Sequence, residues 1–186
     1  QTIGVLLEKL DRSVGAGQYV VALTADHGVA PISEQARLQG RDAGRVDSRS
    51  LIDRIEKALA QKLGSGHYVE QLIGSDLYFA PGIADRLASD HDLWGAVQTA
   101  AYAEPGVDSL ALRLKNASTE RPSSPVTNAM TFDQFPQRSG DAWINLKPNW
   151  IFSSGAATGT THGTAYEYDQ RVPILLFGKD IKPGRY

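Results

Sequence analysis

Asp26 and His27 stand side by side where an apolar run ends, in YVVALTADHG from Tyr19 to Gly28. A carboxylate oxygen and an imidazole nitrogen on one turn are natural ligands for a divalent, zinc-like ion. Neighbouring side chains of a strand point to opposite faces. Two adjacent polar residues therefore share a target only where the strand breaks, and Gly28 gives the backbone freedom to break. A second imidazole, His162, sits in the glycine- and threonine-rich string GTTHG. Such a loop can carry an imidazole to a metal, but only the fold can unite two positions so far apart in the chain.

Other candidates have plainer readings. His67 and His91 have polar neighbours and read as solvated surface residues. The hydroxyls of Ser153, Ser154, Thr158, Thr160 and Thr161 suggest a nucleophile but read better as turn formers. Asn116-Ala117-Ser118 fits the glycosylation pattern, a short string that often arises by chance. Glu167, Tyr168 and Asp169 follow His162 closely. Either they orient that ligand through hydrogen bonds or they cap the descent into the last strand. Both readings stay open.

Composition narrows the chemistry. The 186 residues include no cysteine, so any metal must be held by His and carboxylate groups. The formal charge is −2, with 41% apolar and 22% charged residues, as in an ordinary globular chain. No basic stripe argues for nucleic acid as a partner. No apolar run approaches the roughly 20 residues that span a bilayer.

Several elements must position the candidate ligands. The run Tyr19–Leu23 is short and β-branched, which predicts a strand buried on both faces of a parallel sheet. Asp26 and His27 then lie just past its carboxyl end, where open α/β sheets place their ligands. Upstream, Ile3, Leu6, Leu7, Leu10 and Val14 form the stripe of a helix over Thr2–Val14, stopped by Gly15-Ala16-Gly17. Residues 29–47 read as a polar excursion. A second helix follows on the stripe Leu51, Ile52, Ile55, Leu59 and Leu63, capped by Asp47 or Ser48. Tyr68–Ala80 predicts a hairpin, Asp92–Ala103 a helix and Val107–Leu114 a strand. Residues 115–140 read as a long loop with a short helix. Ala142–Leu146, Trp150–Ser153 and Val172–Gly178 read as strands. The expected organisation is a core αβ unit over 1–47, an inserted α+β lobe over 48–125, and a return to the core sheet over 126–186. The chain opens on Gln1 in mid-pattern, which suggests a fragment of a larger domain.

Taken together, TADHG, RSGDAWINLKPNW and GTTHGTAYEYDQRVPILLFG resemble the alkaline phosphatase superfamily. The resemblance is greatest to its single-domain bacterial alkaline phosphatases and nucleotide pyrophosphatase/phosphodiesterases. It implies an α/β fold with a mixed, mostly parallel sheet flanked by helices, and two zinc ions at the carboxyl edge of that sheet. Asp26 and His27 then resemble ligands of the zinc that activates the nucleophile. His162 resembles a ligand of the zinc that stabilises the leaving-group oxygen. In the family, the Thr or Ser nucleophile, a first aspartate ligand and an Asp-x-x-x-His pair all precede the TADHG strand. Too few residues precede Asp26 here to hold them, and Asp11 is followed at that spacing by Gly15.

The resemblance therefore implies a C-terminal portion with no catalytic nucleophile, inactive alone. Its expected partners are the N-terminal half of the same protein and a small phosphate monoester or diester. Export to the periplasm or beyond is implied as well. A sulfatase, or a manganese-dependent cytosolic phosphoglycerate mutase, is the rival within the superfamily. A non-catalytic binding module whose metal only clips loops together is the rival outside it.

Overall fold

The stripes and runs of the sequence become fourteen elements in the computed structural model, which describes residues 1–113, 134–135, 138–153 and 159–185. In order these are α1 (Thr2–Val14), β1 (Val20–Leu23), α2 (Ser33–Leu38), β2 (Gly44–Asp47), α3 (Ser48–Leu63), β3 (Val69–Ile73) and β4 (Asp76–Phe79). They continue with α4 (Ile83–Ser89), α5 (His91–Tyr102), β5 (Val107–Leu112), β6 (Ala142–Leu146), β7 (Trp150–Ser153), α6 (Glu167–Gln170) and β8 (Leu175–Gly178). Two units are distinct: Val29–Gln170, and Gln1–Gly28 with Arg171–Tyr186.

The Val29–Gln170 unit holds the core. Leu51, Ile55 and Leu59 of α3 recur every four residues, so they share one helix face, and all three are fully buried. Burying each contributes about 1.5–3 kcal/mol. The Asp47 carboxylate caps α3 by accepting from the Ser50 amide at 2.7 Å. Beside α3 lies α5, with Leu93, Val97 and Ala101 buried at the same kind of spacing. Both helices pack on strands of an antiparallel sheet of order β3-β4-β6-β5. Its strand β6, between β4 and β5, is buried at every position. The polar exception, Asn145, donates from Nδ2 to Asp108 Oδ2 at 3.1 Å. A second sheet pairs β2 with β7 in parallel.

The other unit pairs β1 with β8 antiparallel, Val20 opposite Gly178 and Leu23 opposite Leu175. The Tyr19 hydroxyl donates to Asp11 Oδ1 at 2.8 Å, tying the entry of β1 to α1. Gly178 (φ 128°) runs so close to Tyr19 that a Cβ would stand 2.1 Å from its carbonyl oxygen. Among the described residues of this unit none is buried.

The α/β class stands, with two corrections. The expected mostly parallel sheet gives way, among the described residues, to one parallel pair, β2–β7; the other four pairings are antiparallel. Nor is β1 buried on both faces of a parallel sheet, since Val20 is 55% and Leu23 43% exposed. An apolar, β-branched run states which surroundings suit a strand. Cover must come from other elements, and this unit supplies only one helix and one antiparallel partner. The expected excursion at 29–47 contains α2 and β2, and α4 was unsignalled. Most of 115–140, with Asn116, lies outside the described residues, as do Ser154 and Thr158.

Candidate metal centre

Where β1 ends, Thr24 and Ala25 lead to Asp26 and His27, both exposed. The His27 amide donates to Asp26 Oδ1 at 3.2 Å, which folds the carboxylate back along the chain. His27 Nδ1 lies 2.6 Å from the Gly28 carbonyl oxygen. A carbonyl only accepts, so Nδ1 carries the proton, and in the neutral ring Nε2 presents the lone pair. That Nε2 stands 3.7 Å from Asp26 Oδ2. Two ligand atoms each about 2 Å from one ion are separated by less than about 4 Å. The pair thus fits a shared zinc-like ion, with a backbone carbonyl fixing the ring, as is usual for metal-binding histidines.

His162 belongs to the other unit and is exposed on a loop between Gly159 (φ 92°) and Gly163 (φ 109°). Both angles favour glycine. The loop is fastened along its length. Arg45 Nη2 donates to the Gly159 carbonyl at 2.7 Å. The Thr160 hydroxyl donates to the Ala30 carbonyl at 2.7 Å, and the Ala30 amide donates to the Thr161 carbonyl at 3.1 Å. Beyond His162, both the amide and the hydroxyl of Thr164 donate to Asp169 Oδ2 at 2.7 Å. Asp169 is 5% exposed, and its Oδ1 is buried with no protein hydrogen-bond partner.

Arg45 is itself held. Its Nε and Nη2 donate to the two carboxylate oxygens of Glu34 at 2.7 and 2.9 Å. These bonds hold the Glu34 carboxyl far below its ordinary value, at about 2, and raise the Arg45 guanidinium further. Nearby, burial pushes the Tyr166 and Tyr168 hydroxyls up. Tyr166 donates to the Leu146 carbonyl at 2.8 Å, and Tyr168 accepts from the Asn149 amide at 3.2 Å.

The structure thus brings Asp26 and His27 together, while His162 is carried by the other unit. Among the described residues no group of three His, Asp or Glu side chains is arranged to hold a metal. His67 and His91 are exposed, and His67 Nδ1 stands 3.1 Å from Glu56 Oε1. Thr160 spends its hydroxyl on the backbone, as a turn former does. Sequence reasoning missed Glu34 and Arg45. Their bidentate pairing joins α2 to β2, two elements that the polar stretch 29–47 did not announce.

No protein-family model matches the chain. It is 29% identical over 197 residues to the alkaline phosphatase PhoK of Sphingomonas sp, covering 97% of this chain and 34% of that protein. Identity to the alkaline phosphatase PafA of Elizabethkingia meningoseptica is 28% over 180 residues, covering 94% and 32%. A Myroides odoratus protein named a calcium-transporting ATPase is 27% identical over 189 residues, covering 98% and 33%. Among the described residues no helix is long and apolar enough to cross a membrane. The crystal structure of wild-type alkaline phosphatase PafA matches with a TM-score of 0.77 at 25% identity, over 98% of this chain and 34% of that one. The chain spans about a third of the length of the curated relatives it matches. Sequence and backbone, alike over nearly all of this chain and about a third of each relative, support its membership of the alkaline phosphatase superfamily.

Proposed function

We propose that the chain supplies metal-binding side chains to a zinc-dependent phosphohydrolase acting on phosphate monoesters or diesters. The observation that carries this reading is the His27 ring, fixed through Nδ1 by the Gly28 carbonyl so that Nε2 and Asp26 Oδ2 stand at ligand separation. In this reading, Asp26 and His27 hold one ion and His162 holds the other. Zinc bound there would lower the pKa of an attacking hydroxyl and take up charge on the departing oxygen. The chain's own residues orient: the Gly28 carbonyl sets the His27 tautomer, and the tethers of 159–164 set the backbone that carries His162. The nucleophilic Thr or Ser comes from the N-terminal part of the same protein, so these 186 residues alone do not turn over. A periplasmic or secreted location belongs to the same reading.

Zinc content of the purified whole protein, measured beside hydrolysis of an aryl phosphate monoester and the matching diester, tests it. Asp26→Ala and His162→Ala should each lower bound zinc and reduce kcat/KM by at least about 100-fold, with the fold retained. Undiminished zinc and turnover in both variants would sink the reading. Turnover of aryl sulfates in place of phosphates would favour the sulfatase alternative.

A further inference from the structure

The loop presenting His162 is fixed by a side chain from a distant stretch of sequence. Arg45, on β2, reaches the Gly159 carbonyl three residues before His162, and it is 16% exposed. One guanidinium performs two tasks there: its Nε–Nη2 edge grips the Glu34 carboxylate, and Nη2 also meets the loop. A lysine ammonium lacks the planar fork that does both. Glu34, at the start of α2, holds Arg45 from the other side.

We propose that Arg45 and Glu34 are positioning residues, a carboxylate–guanidinium clamp that holds the 159–164 loop in the shape in which His162 captures its metal. The proposal rests on His162 being a ligand. An imidazole on a loose loop must be ordered when it binds, and that entropy weakens the complex. Here residues 159, 160, 161 and 164 are each tethered, leaving His162 on a short span between fixed points. The Arg45 contact draws on a charged side-chain pair that reaches in from α2 and β2, so it can be removed by substitution without altering the loop's own residues.

Zn2+ affinity of the purified whole protein, measured by competition with a chromogenic chelator, tests the clamp. Arg45→Met and Glu34→Ala should each weaken Zn2+ binding by about 10–100-fold while the cooperative unfolding transition persists. Glu34 is 46% exposed, so its truncation is tolerated by the fold. The double exchange Glu34→Arg with Arg45→Glu separates positioning from simple stabilisation. It rebuilds an ion pair but sets a carboxylate, which cannot donate, opposite the Gly159 carbonyl. Stability should return and Zn2+ affinity should not. Native-like affinity in both single variants, or its recovery in the exchange, overturns the clamp. If His162→Ala leaves Zn2+ affinity unchanged, the underlying assignment of His162 fails instead, and the clamp falls with it.

Discussion

Gly106 lies directly beneath the indole of Trp150: a Cβ on Gly106 would stand 2.3 Å from Trp150 Cε3 and 2.5 Å from Val46 Cγ2. The same ring covers Gly44, and its Nε1 donates to Asp42 Oδ1 at 3.0 Å. The indole is therefore wedged between two glycines and pinned by its polar edge. Gly106→Ala should destabilise the Val29–Gln170 unit by about 1–3 kcal/mol through overpacking. Gly95, inside α5 with open space around it, is the control. Gly95→Ala should stabilise by up to about 1 kcal/mol, because alanine is the better helix former. Urea unfolding of the two variants reads both signs in one experiment.

The first turn of α3 depends on Asp47, whose carboxylate accepts from the Ser50 amide. Asp47→Ala should cost about 1 kcal/mol, and Asp47→Ser should recover most of it. A midpoint unchanged by the alanine variant would show the helix start to be held by packing alone.

Asp169 joins its own short helix to the loop ahead of it through two bonds from Thr164. Asp169→Ala strands both donors and should destabilise by about 1–3 kcal/mol. Faster amide hydrogen exchange at Thr164 would localise the loss. Exchange unaltered there would argue that Asp169 serves only as a helix end.

Glu34 gives acid stability a defined signature. Its folded-state pKa, about 2, lies below the ordinary 4.5 because Arg45 hydrogen-bonds the charged form. A depressed carboxyl contributes stability that is present above the unfolded value and lost as pH falls through the folded one. The contribution should therefore be whole above about pH 5 and fade between about 4.5 and 2. Glu34→Gln removes it, so the stability difference between native and variant should shrink across that window. A difference constant from pH 6 to 2 would contradict the pairing in solution.

Local pattern carried much of the fold. The Ile3–Val14 stripe gave α1, and the Leu51–Leu59 spacing gave α3 with its Asp47 cap, because both signals lie within a few turns of one helix. The adjacency of Asp26 and His27 was legible for the same reason. Partners in a sheet are chosen at long range, so Ala142–Leu146 read as a strand without revealing that it inserts between β4 and β5. The Glu34–Arg45–Gly159 chain links three separated stretches, and no single window of sequence contains it. Exposure of Val20 and Leu23 was hidden because hydrophobicity records what a strand prefers to touch and leaves open what is there.

The β1–β8 ribbon has a consequence for handling the protein. Among the described residues it is a two-stranded sheet, and Leu175, Leu176 and Phe177 of β8 are all more than half exposed. An open strand edge beside exposed apolar side chains is a general template for added β-structure.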